Sequence, residues 1–372
     1  MNTRERFVRT LLGRDVDRVP FIKVFGVDNM IVPAWEAQRP GIGKEIDALL
    51  GFEGTYRGWA QPDVNVWLSS LPPSRRIEDD ERHTIWRHGD GSVTIEQKGA
   101  DYHGRVLEWA VKDRHDWDRL RSRHLDPADP TRLPADWPDR VARYAARDYP
   151  LQLTHSGVYG FARNLMGDEA LGYAFYDEPA LVHDIMDTYT DAALAIWERL
   201  TAQVDFDLIE CWEDMACKTG SIISPATFDE FMRPNYRKIA DFAAAHGIEI
   251  VLVDSDGNIE DLTGWMLSAG VTALYPYEVQ AGNDAAAMLE RYPRLGVIGG
   301  LNKNVMAAGR AAIDAEMDRA RALIRRGRFI PGPDHFVLSD VTFADSEATS
   351  SVSDAGLSKL DKVVSTPTKL LP

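Results

Sequence analysis

Six short apolar runs, each ending in polar residues and each followed by a segment with helical spacing, dominate the sequence beyond residue 150. The runs are Leu151–Thr154, Phe206–Ile209, Ile248–Val253, Val271–Leu274, Leu295–Gly300 and Arg328–Pro331. Alternation of short strands with helices is typical of parallel βαβ units. In a barrel built from such units, all strands open at their carboxyl ends on one face. The pattern therefore predicts the α/β class and a (β/α)8 TIM-type barrel, whose polar strand ends meet around one cavity.

The N-terminal region is expected to extend this barrel. Asn2–Leu12 has helical spacing, Gly13 is placed to end a helix, and Val19–Phe25 has the composition of a strand. Barrels of this kind exceed the usual domain size, so 372 residues fit one domain. We predict a single barrel domain over residues 1–345 with an N-terminal helical extension, followed by a weakly structured C-terminal tail over residues 346–372.

A different pattern interrupts the N-terminal half. Residues 63–114 contain short alternating runs, and a His-Gly-Asp-Gly turn separates Thr84–Arg87 from Ser92–Gln97. Two alternating runs joined by a glycine-containing turn are typical of a β-hairpin. This stretch is therefore predicted to be an antiparallel β-hairpin insertion into the barrel domain.

Charge and composition exclude several classes of partner. The formal net charge is −16 and the pI is near 5.0, which opposes attraction to nucleic acid or to anionic membranes. No apolar stretch approaches the ~20 residues needed to cross a bilayer. The first residues lack the apolar core of a secretion signal, and two cysteines are too few for a disulfide framework. We expect a cytoplasmic protein with neither a nucleic acid nor a membrane as partner.

Short motifs occur in a fixed order along the chain. They are Asn2–Arg6, Gly13–Pro20, Trp212–Met215, Ile223–Pro225, Asp254–Asn258, Pro276–Glu278, Gly299–Lys303 and Pro333–His335. In order and approximate spacing, this set resembles the uroporphyrinogen decarboxylase superfamily, which includes the haem-pathway decarboxylase and corrinoid-dependent methyltransferases that share its barrel. The resemblance covers about residues 1 to 343 and implies an enzyme.

One departure from the family pattern bears on the reaction. The true decarboxylases have an arginine-rich segment soon after the first strand, where this chain has Phe25–Ile31 with no arginine. Bidentate arginine is the usual means of binding carboxylates. A multiply anionic tetrapyrrole would therefore lack its main partner here.

A second departure concerns the metal. Thiol methyltransferases of the superfamily bind zinc through a His-x-Cys pair and a later Cys, whereas the segments that look equivalent here are Asp254–Asp256 and Asp334–His335. Oxygen ligands and one imidazole suit zinc or a harder divalent metal, with open positions for substrate. Asp254, Glu278 and His335 are the predicted metal ligands. Glu278 could instead orient a hydroxyl or pair with Lys303.

Four residues at strand ends are predicted to be catalytic, namely Glu213, Asp214, Asp256 and Lys303. Catalytic groups of barrel enzymes lie at these positions. Asp256 is two residues from Asp254, so both side chains are expected on one side of the pleat. Lys303 is suited to neutralise a developing oxyanion. Ordinary turn chemistry for Asp256 and a solvent-exposed position for Lys303 are the alternatives.

The predicted substrate-binding residues follow the same strand-end rule. They are His155, Tyr159, Tyr277 and Asn302. Cys211 and Cys217 match no common zinc spacing and are expected to be bystanders.

Three functions follow from these observations. The leading hypothesis is a metal-assisted, corrinoid-linked methyltransferase that moves a methyl group from a small methylated donor, such as an aryl methyl ether in an O-demethylase, to a cobalt corrinoid on a partner protein. The alternative is decarboxylation of a carboxylated substrate, with Asp254 or Glu213 stabilising a cationic intermediate. A non-catalytic binding barrel is the third. The oligomeric state is open, with a homodimer as one alternative.

Overall fold

The computed structural model describes residues 1–24, 31–98, 104–337 and 341. Its helices are α1 (Thr3–Leu11), α2 (Ile31–Gln38), α3 (Ile42–Leu50), α4 (Arg114–His124), α5 (Trp137–Ala145), α6 (Val158–Met166), α7 (Asp168–Asp177), α8 (Pro179–Thr201), α9 (Pro225–Thr227), α10 (Arg233–Ala245), α11 (Glu260–Ala269), α12 (Ala285–Arg291) and α13 (Arg310–Arg326). Its strands are β1 (Arg75–Asp79), β2 (His83–Arg87), β3 (Val93–Gln97), β4 (Arg105–Glu108), β5 (Gln152–His155), β6 (Leu208–Trp212), β7 (Ala216–Cys217), β8 (Gly220–Ser221), β9 (Ile250–Asp254), β10 (Ala273–Tyr275), β11 (Gly296–Leu301) and β12 (Phe329–Pro333). The predicted tail over residues 346–372 lies outside the described residues.

The central element is a six-stranded parallel sheet with the order β12-β11-β10-β9-β6-β5. Helices connect each of these strands to the next along the chain, as right-handed βαβ units require. Each of the six apolar runs singled out in the sequence overlaps one of these strands, with bounds that differ by one or two residues at its start. The α/β class and the strand-helix alternation are confirmed, and the carboxyl ends of the six strands open on one side of the sheet.

Alternation along each strand divides the core into two parts. Leu208 of β6 packs with Ile250, Leu252 and Ile298 in an inner cluster, on the side of the sheet that faces away from the connecting helices. The intervening residues, such as Ile209, belong to a larger cluster between the strands and those helices. Both sides of the sheet are thus apolar, as is typical of buried parallel strands. The side to which a side chain points is set by its position in the strand.

The first helix covers the inner cluster. Asn2 accepts a hydrogen bond from the amide of Glu5 at 2.9 Å, and the Glu5 carboxylate accepts one from the amide of Asn2, which forms a capping box. Phe7 and Leu11 share one face of the helix and pack into the inner cluster, with at most 1% of their surface exposed. The predicted N-terminal helix is confirmed, with an inward apolar face.

The predicted strand at Val19–Phe25 is wrong for residues 19–24, which form no strand; Phe25 lies outside the described residues. The physical reason is that the amides of this stretch bond outside any ladder. The amide of Phe21 donates to the Glu53 carboxylate, and that of Lys23 donates to the carbonyl of Arg57 at 2.7 Å. Pro20 removes a further donor.

The insertion is a four-stranded antiparallel sheet with the order β1-β2-β3-β4. Ile85 of β2 pairs with Ile95 of β3, so the predicted hairpin is confirmed. Asp90 in its turn accepts the amide of Ser92 at 2.8 Å. Among the described residues, no helix is long and apolar enough to cross a membrane.

Candidate active site

Three side chains from different strand ends meet at the open side of the parallel sheet. Asp256 follows β9, Glu278 follows β10 and His335 follows β12. One ligand atom from each lies within 4.8 Å of the other two. The imidazole Nε2 of His335 is 3.1 Å from Oδ2 of Asp256. Two carboxylates and one imidazole thus form a cluster with the ligand types of a divalent metal site.

The loop that carries Asp256 is held by two other carboxylates. The amide of Asp256 donates to Oδ1 of Asp214 at 3.2 Å, and the next amide, that of Gly257, donates to Oε2 of Glu278 at 2.7 Å. Gly257 has φ +83°, and a Cβ there would lie 2.6 Å from the carbonyl oxygen of Ala216. Glycine is therefore required for this close approach. Asp214 and Glu278 position the loop as well as contributing charge to the site.

The electrostatic balance of the site is strongly negative. Burial, and secondly repulsion from Asp256, raise the pKa of Asp214 above its usual value. Burial also raises the pKa of Glu278, with Asp256 again adding to the shift. The hydrogen bond that the His335 imidazole donates to Asp256 raises the pKa of His335, because it favours the imidazolium form. A bound cation would relieve the repulsion among these carboxylates.

A second pair of carboxyl groups lies deeper in the sheet. Glu210 is buried on β6 and accepts a hydrogen bond from the side-chain amide of Gln152 at 2.7 Å. Burial raises the pKa of Glu210 to about 7. Asp254, at the last position of β9, has a pKa raised well above its usual value by burial and then by Glu210. Of the predicted metal ligands, the structure groups Glu278 and His335 with Asp256, and places Asp254 below that cluster.

A cavity of about 510 Å³ adjoins the cluster and includes Asp214 and Asp256 in its wall. Its lining residues come from α6, α7, the β7–β8 hairpin and the start of α9: Tyr159, Arg163, Asp168, Gly172, Phe175, Tyr176, Asp214, Ala216, Cys217, Ile222, Ile223, Ser224, Thr227 and Asp256. Tyr159 was predicted from the sequence to bind substrate, and its hydroxyl donates to Oδ1 of Asp168 at 2.9 Å. The cavity lining therefore contains both aromatic and carboxylate side chains.

Sequence reasoning missed Arg163 and Cys217 as cavity residues. Arg163 donates to Oδ2 of Asp214 at 3.1 Å, and its guanidinium lies 5.0 Å from the ring centroid of Trp212. Arg163 lies four residues after Tyr159, one turn further along α6. Because residues four apart share a helix face, this spacing could have identified it from the sequence. Cys217 is exposed in the hairpin, and hydrogen bonding with Thr219 lowers the pKa of its thiol.

Glu213, predicted to be catalytic, lies on the helix side of the sheet. It is fully buried, and its carboxylate accepts the amides of Val158 at 2.7 Å and Gly160 at 2.9 Å, together with the hydroxyl of Tyr236. These amides belong to the first turn of α6, where unpaired donors need an acceptor. A Cβ at Gly160 would lie 2.3 Å from the carbonyl oxygen of Trp212, so the helix end approaches β6 closely. In this position Glu213 caps α6 and is separated from the cavity.

Two predicted substrate-binding residues also lie away from the cavity. His155 is completely buried, with its ring 4.6 Å from that of Tyr189 and 5.8 Å from that of Trp197. Tyr277 is completely buried in the cluster between the strands and the connecting helices. His155 has the helix-facing parity of β5, like Leu153, whereas Tyr277 lies two residues beyond the end of β10, where strand alternation no longer applies. The structure places neither in the lining of the cavity.

Lys303 and Asn302 lie beside the cluster, in the loop after β11. The Lys303 ammonium lowers the pKa of Glu278 less than burial raises it. Asn302 accepts the amide of Asn304 at 3.0 Å and the side-chain amide of Gln280, which fixes the short turn. The buried Asp334 accepts the amides of Val279 at 2.9 Å and Lys303 at 3.0 Å. Asp334 thereby joins the loops that follow β10, β11 and β12.

The buried His155 predicts a specific acid sensitivity. Burial lowers its pKa to about 3 in the folded chain, against about 6.5 when unfolded. Between these two pKa values the unfolded state binds a proton that the folded state does not. The contribution of His155 to the free energy of unfolding is therefore fully present above pH ~6.5 and is lost as the pH falls toward ~3. We expect His155→Phe to unfold at a lower pH than the wild type, because it lacks this linkage, which at pH ~4.5 lowers the free energy of unfolding of the wild type by about 2–3 kcal/mol.

Far-ultraviolet circular dichroism during acid titration measures this effect. His115→Phe, at an exposed position on α4, is the matched control and should leave the acid midpoint unchanged. If both variants shift the midpoint equally, the buried imidazole is not the acid-labile group.

Comparison with known proteins agrees with this architecture. The family model "Uroporphyrinogen decarboxylase (URO-D)" matches residues 98–352. A solved structure described as a methyltransferase from Methanosarcina mazei is similar in fold, with a TM-score of 0.57, 15% sequence identity, and coverage of 95% of this chain and 99% of that one. No curated protein matches the chain in sequence. The chain has the TIM-type α/β fold of its relatives and belongs to the uroporphyrinogen decarboxylase family.

Proposed function

We propose that this chain is a metal-assisted, corrinoid-linked methyltransferase, which moves a methyl group from a small methylated donor to a cobalt corrinoid on a partner protein. The observation that carries the proposal is the cluster of Asp256, Glu278 and His335 at the edge of a cavity. Their ligand atoms lie within 4.8 Å of one another, and Asp256 also lines the cavity. A donor molecule and a metal ion would therefore share one site.

The donor set suits zinc or another divalent ion. Two carboxylate oxygens and one imidazole nitrogen are borderline-to-hard ligands, and three protein ligands leave positions open for a substrate. The raised pKa of Glu278, caused by burial and by Asp256, reflects carboxylates that lack sufficient positive charge nearby. When bound, a divalent ion supplies Lewis acidity to the heteroatom that carries the methyl group.

The residues of the chain bind and orient the donor. Phe175 and Ile223 are largely buried and form part of the apolar wall, which excludes water from the donor. Asp256, held through the amides of its loop, fixes the end of the cavity at which the methyl-bearing heteroatom lies. Such positioning accounts for a large part of the rate of a bimolecular transfer. An aryl methyl ether is one donor of this class, and O-demethylation is the corresponding reaction.

Decarboxylation of a carboxylated substrate is the second function, and membership of the family favours it. Asp254 would then stabilise a cationic intermediate, since Glu213, the other residue predicted for this role, is bound to the first turn of α6. The cavity wall opposes a polyanionic substrate, because its described lining contains three aspartates and a single arginine, Arg163, which already pairs with Asp214. This charge balance favours methyl transfer over decarboxylation of a polycarboxylate.

The test combines elemental analysis with a transfer assay. Protein purified without added metal is expected to contain a divalent ion, and to methylate free reduced cobalamin from at least one donor in a panel of methyl ethers, amines and thioethers. Chelation should abolish the transfer and one specific ion should restore it. Decarboxylation of a porphyrinogen by metal-free protein would establish the second function instead. Absence of turnover in both assays would leave a non-catalytic binding barrel.

A further inference from the structure

The lining of the cavity beside the metal cluster contains two chemically different groups of side chains. One group is Asp256 and Asp214, joined by the hydrogen bond from the amide of Asp256 to the Asp214 carboxylate. The other contains Tyr159 and Phe175, largely buried residues whose nearly parallel rings have centroids 6.5 Å apart and an angle of 14° between their planes. Asp168, which receives the hydroxyl of Tyr159, and Tyr176, 76% exposed, complete this aromatic group.

Charge distinguishes the ligands that such a wall can accept. Asp168 lies in the first turn of α7, where the partial positive charge of the helix end stabilises a carboxylate. Arg163, the one cationic side chain in the described lining, is bound to Asp214 and stacks near Trp212. Asp214 is paired with Arg163, and a metal bound by Asp256 would offset the charge there, so Asp168 keeps a negative charge that can attract a cation. Aromatic faces attract cations in addition, through the quadrupole of the ring.

Resting on the proposed function, we propose that the methylated donor is a small organic cation. Its ammonium group is held by Asp168, Tyr159 and Phe175, and its methyl-bearing heteroatom lies beside Asp256. A neutral molecule of the same shape would gain the apolar contacts but neither the ion pairing nor the cation–π attraction. An anionic molecule would meet repulsion from Asp168. The cavity volume of about 510 Å³ is ample for a molecule of this size.

The test compares two ligands that differ in charge but not in shape. Choline and 3,3-dimethylbutan-1-ol have the same heavy-atom arrangement, with nitrogen in one replaced by carbon in the other. In titration calorimetry with the metal-loaded protein, choline is expected to bind about 10-fold more tightly or better, which corresponds to one ion pair or cation–π contact. Equal affinities, tighter binding of the alcohol, or no choline binding at millimolar concentration would overturn the proposal.

Two variants locate the charge preference. Asp168→Asn should weaken choline by about 10-fold and leave the alcohol unchanged. Asp177→Asn removes the same charge from the exposed far end of the same helix, outside the cavity lining, and should leave both affinities within about twofold of wild type. Phe175→Leu, which keeps an apolar side chain but removes the ring, should weaken choline by about 3- to 30-fold. Equal losses in the two aspartate variants would contradict a local site.

Because the measurement is one of binding, it separates the two proposals. A preference for choline without methyl transfer from any donor would contradict the proposed function but support an organic-cation site. Methyl transfer from neutral ethers by a protein with no preference for choline would remove the present inference and leave the function intact.

Discussion

Asp256→Asn is expected to lower methyl transfer to reduced cobalamin on the order of 100-fold or more, with a parallel fall in metal bound per chain. The carboxylate is shared by the metal cluster and the cavity wall, with its Oδ2 atom 3.1 Å from the imidazole of His335. Loss of a residue that merely orients a metal ligand already costs about 10- to 100-fold in affinity or activity. A direct ligand should cost at least as much. Initial rates and elemental analysis on the same preparation measure both quantities.

The free energy of unfolding of the metal-free Asp256→Asn variant should not fall with its activity. Asp256 raises the pKa of both Asp214 and Glu278 by repulsion, although burial is the larger cause for each. Removing its charge therefore relieves unfavourable interactions in the metal-free chain. We expect the free energy of unfolding to stay unchanged or to rise slightly. Asp261→Asn, at an exposed position in the first turn of α11, serves as the control; it should leave activity unchanged and lower the free energy of unfolding by at most about 1 kcal/mol. A variant of Asp256 that is inactive because it is unfolded would refute this account.

Arg132→Met is expected to lower the free energy of unfolding by about 3–5 kcal/mol, the largest change in stability that we predict for a single residue. Arg132 is 1% exposed. Its guanidinium donates to four backbone carbonyl groups at 2.7 to 3.1 Å, those of Asp126, Asn65, Trp67 and His124. Asn65 and Trp67 belong to an irregular segment, and His124 and Asp126 lie at and just beyond the end of α4, so the side chain supplies hydrogen bonds that these carbonyls lack within regular structure. Methionine keeps the length of the side chain but leaves the carbonyl groups short of donors.

Urea denaturation followed by tryptophan fluorescence measures the change. Arg143→Met is the matched control, because that arginine has 60% of its side chain exposed and an ion pair with Asp136 at 3.5 Å. Surface pairs of this kind contribute at most about 1 kcal/mol. If both substitutions shift the midpoint by the same amount, the buried carbonyl contacts of Arg132 are not what stabilises this region.

Much of the fold could be predicted from the sequence because strand and helix patterns are local. Each of the six apolar runs overlaps a strand of the parallel sheet, and Asn2 caps the first helix as its residue type suggests. The failure at residues 19–24 has a non-local cause. The amide of Phe21 bonds to Glu53, a residue far along the chain, and no pattern within the segment records that partner.

The site was predictable only in part, since alternation places neighbouring residues on opposite sides of a strand. Glu210 and Asp214 are an odd number of residues away from Glu213, so alternation places them on the other side of the strand. Glu213 points to the helices, where it caps α6. In a sheet with one polar side, the alternation of polar and apolar residues would show which side chains face the core. Here both sides are apolar, as Leu208 and Ile209 illustrate, so the sequence gives no such signal. The cavity wall from α7 and the β7–β8 hairpin depends on tertiary packing and has no motif of its own.

Asp334 gives the two halves of the site unequal freedom to change. Asp334 accepts hydrogen bonds from amides of the loops that carry Glu278 and Lys303, and so fixes the arrangement of these loops from within the protein. The opposite half is supplied by a helix and a two-stranded hairpin that carry none of those bonds to Asp334. Descendants of this chain could therefore acquire new substrates by remodelling the hairpin and α7 alone, while the reactive end is inherited unaltered.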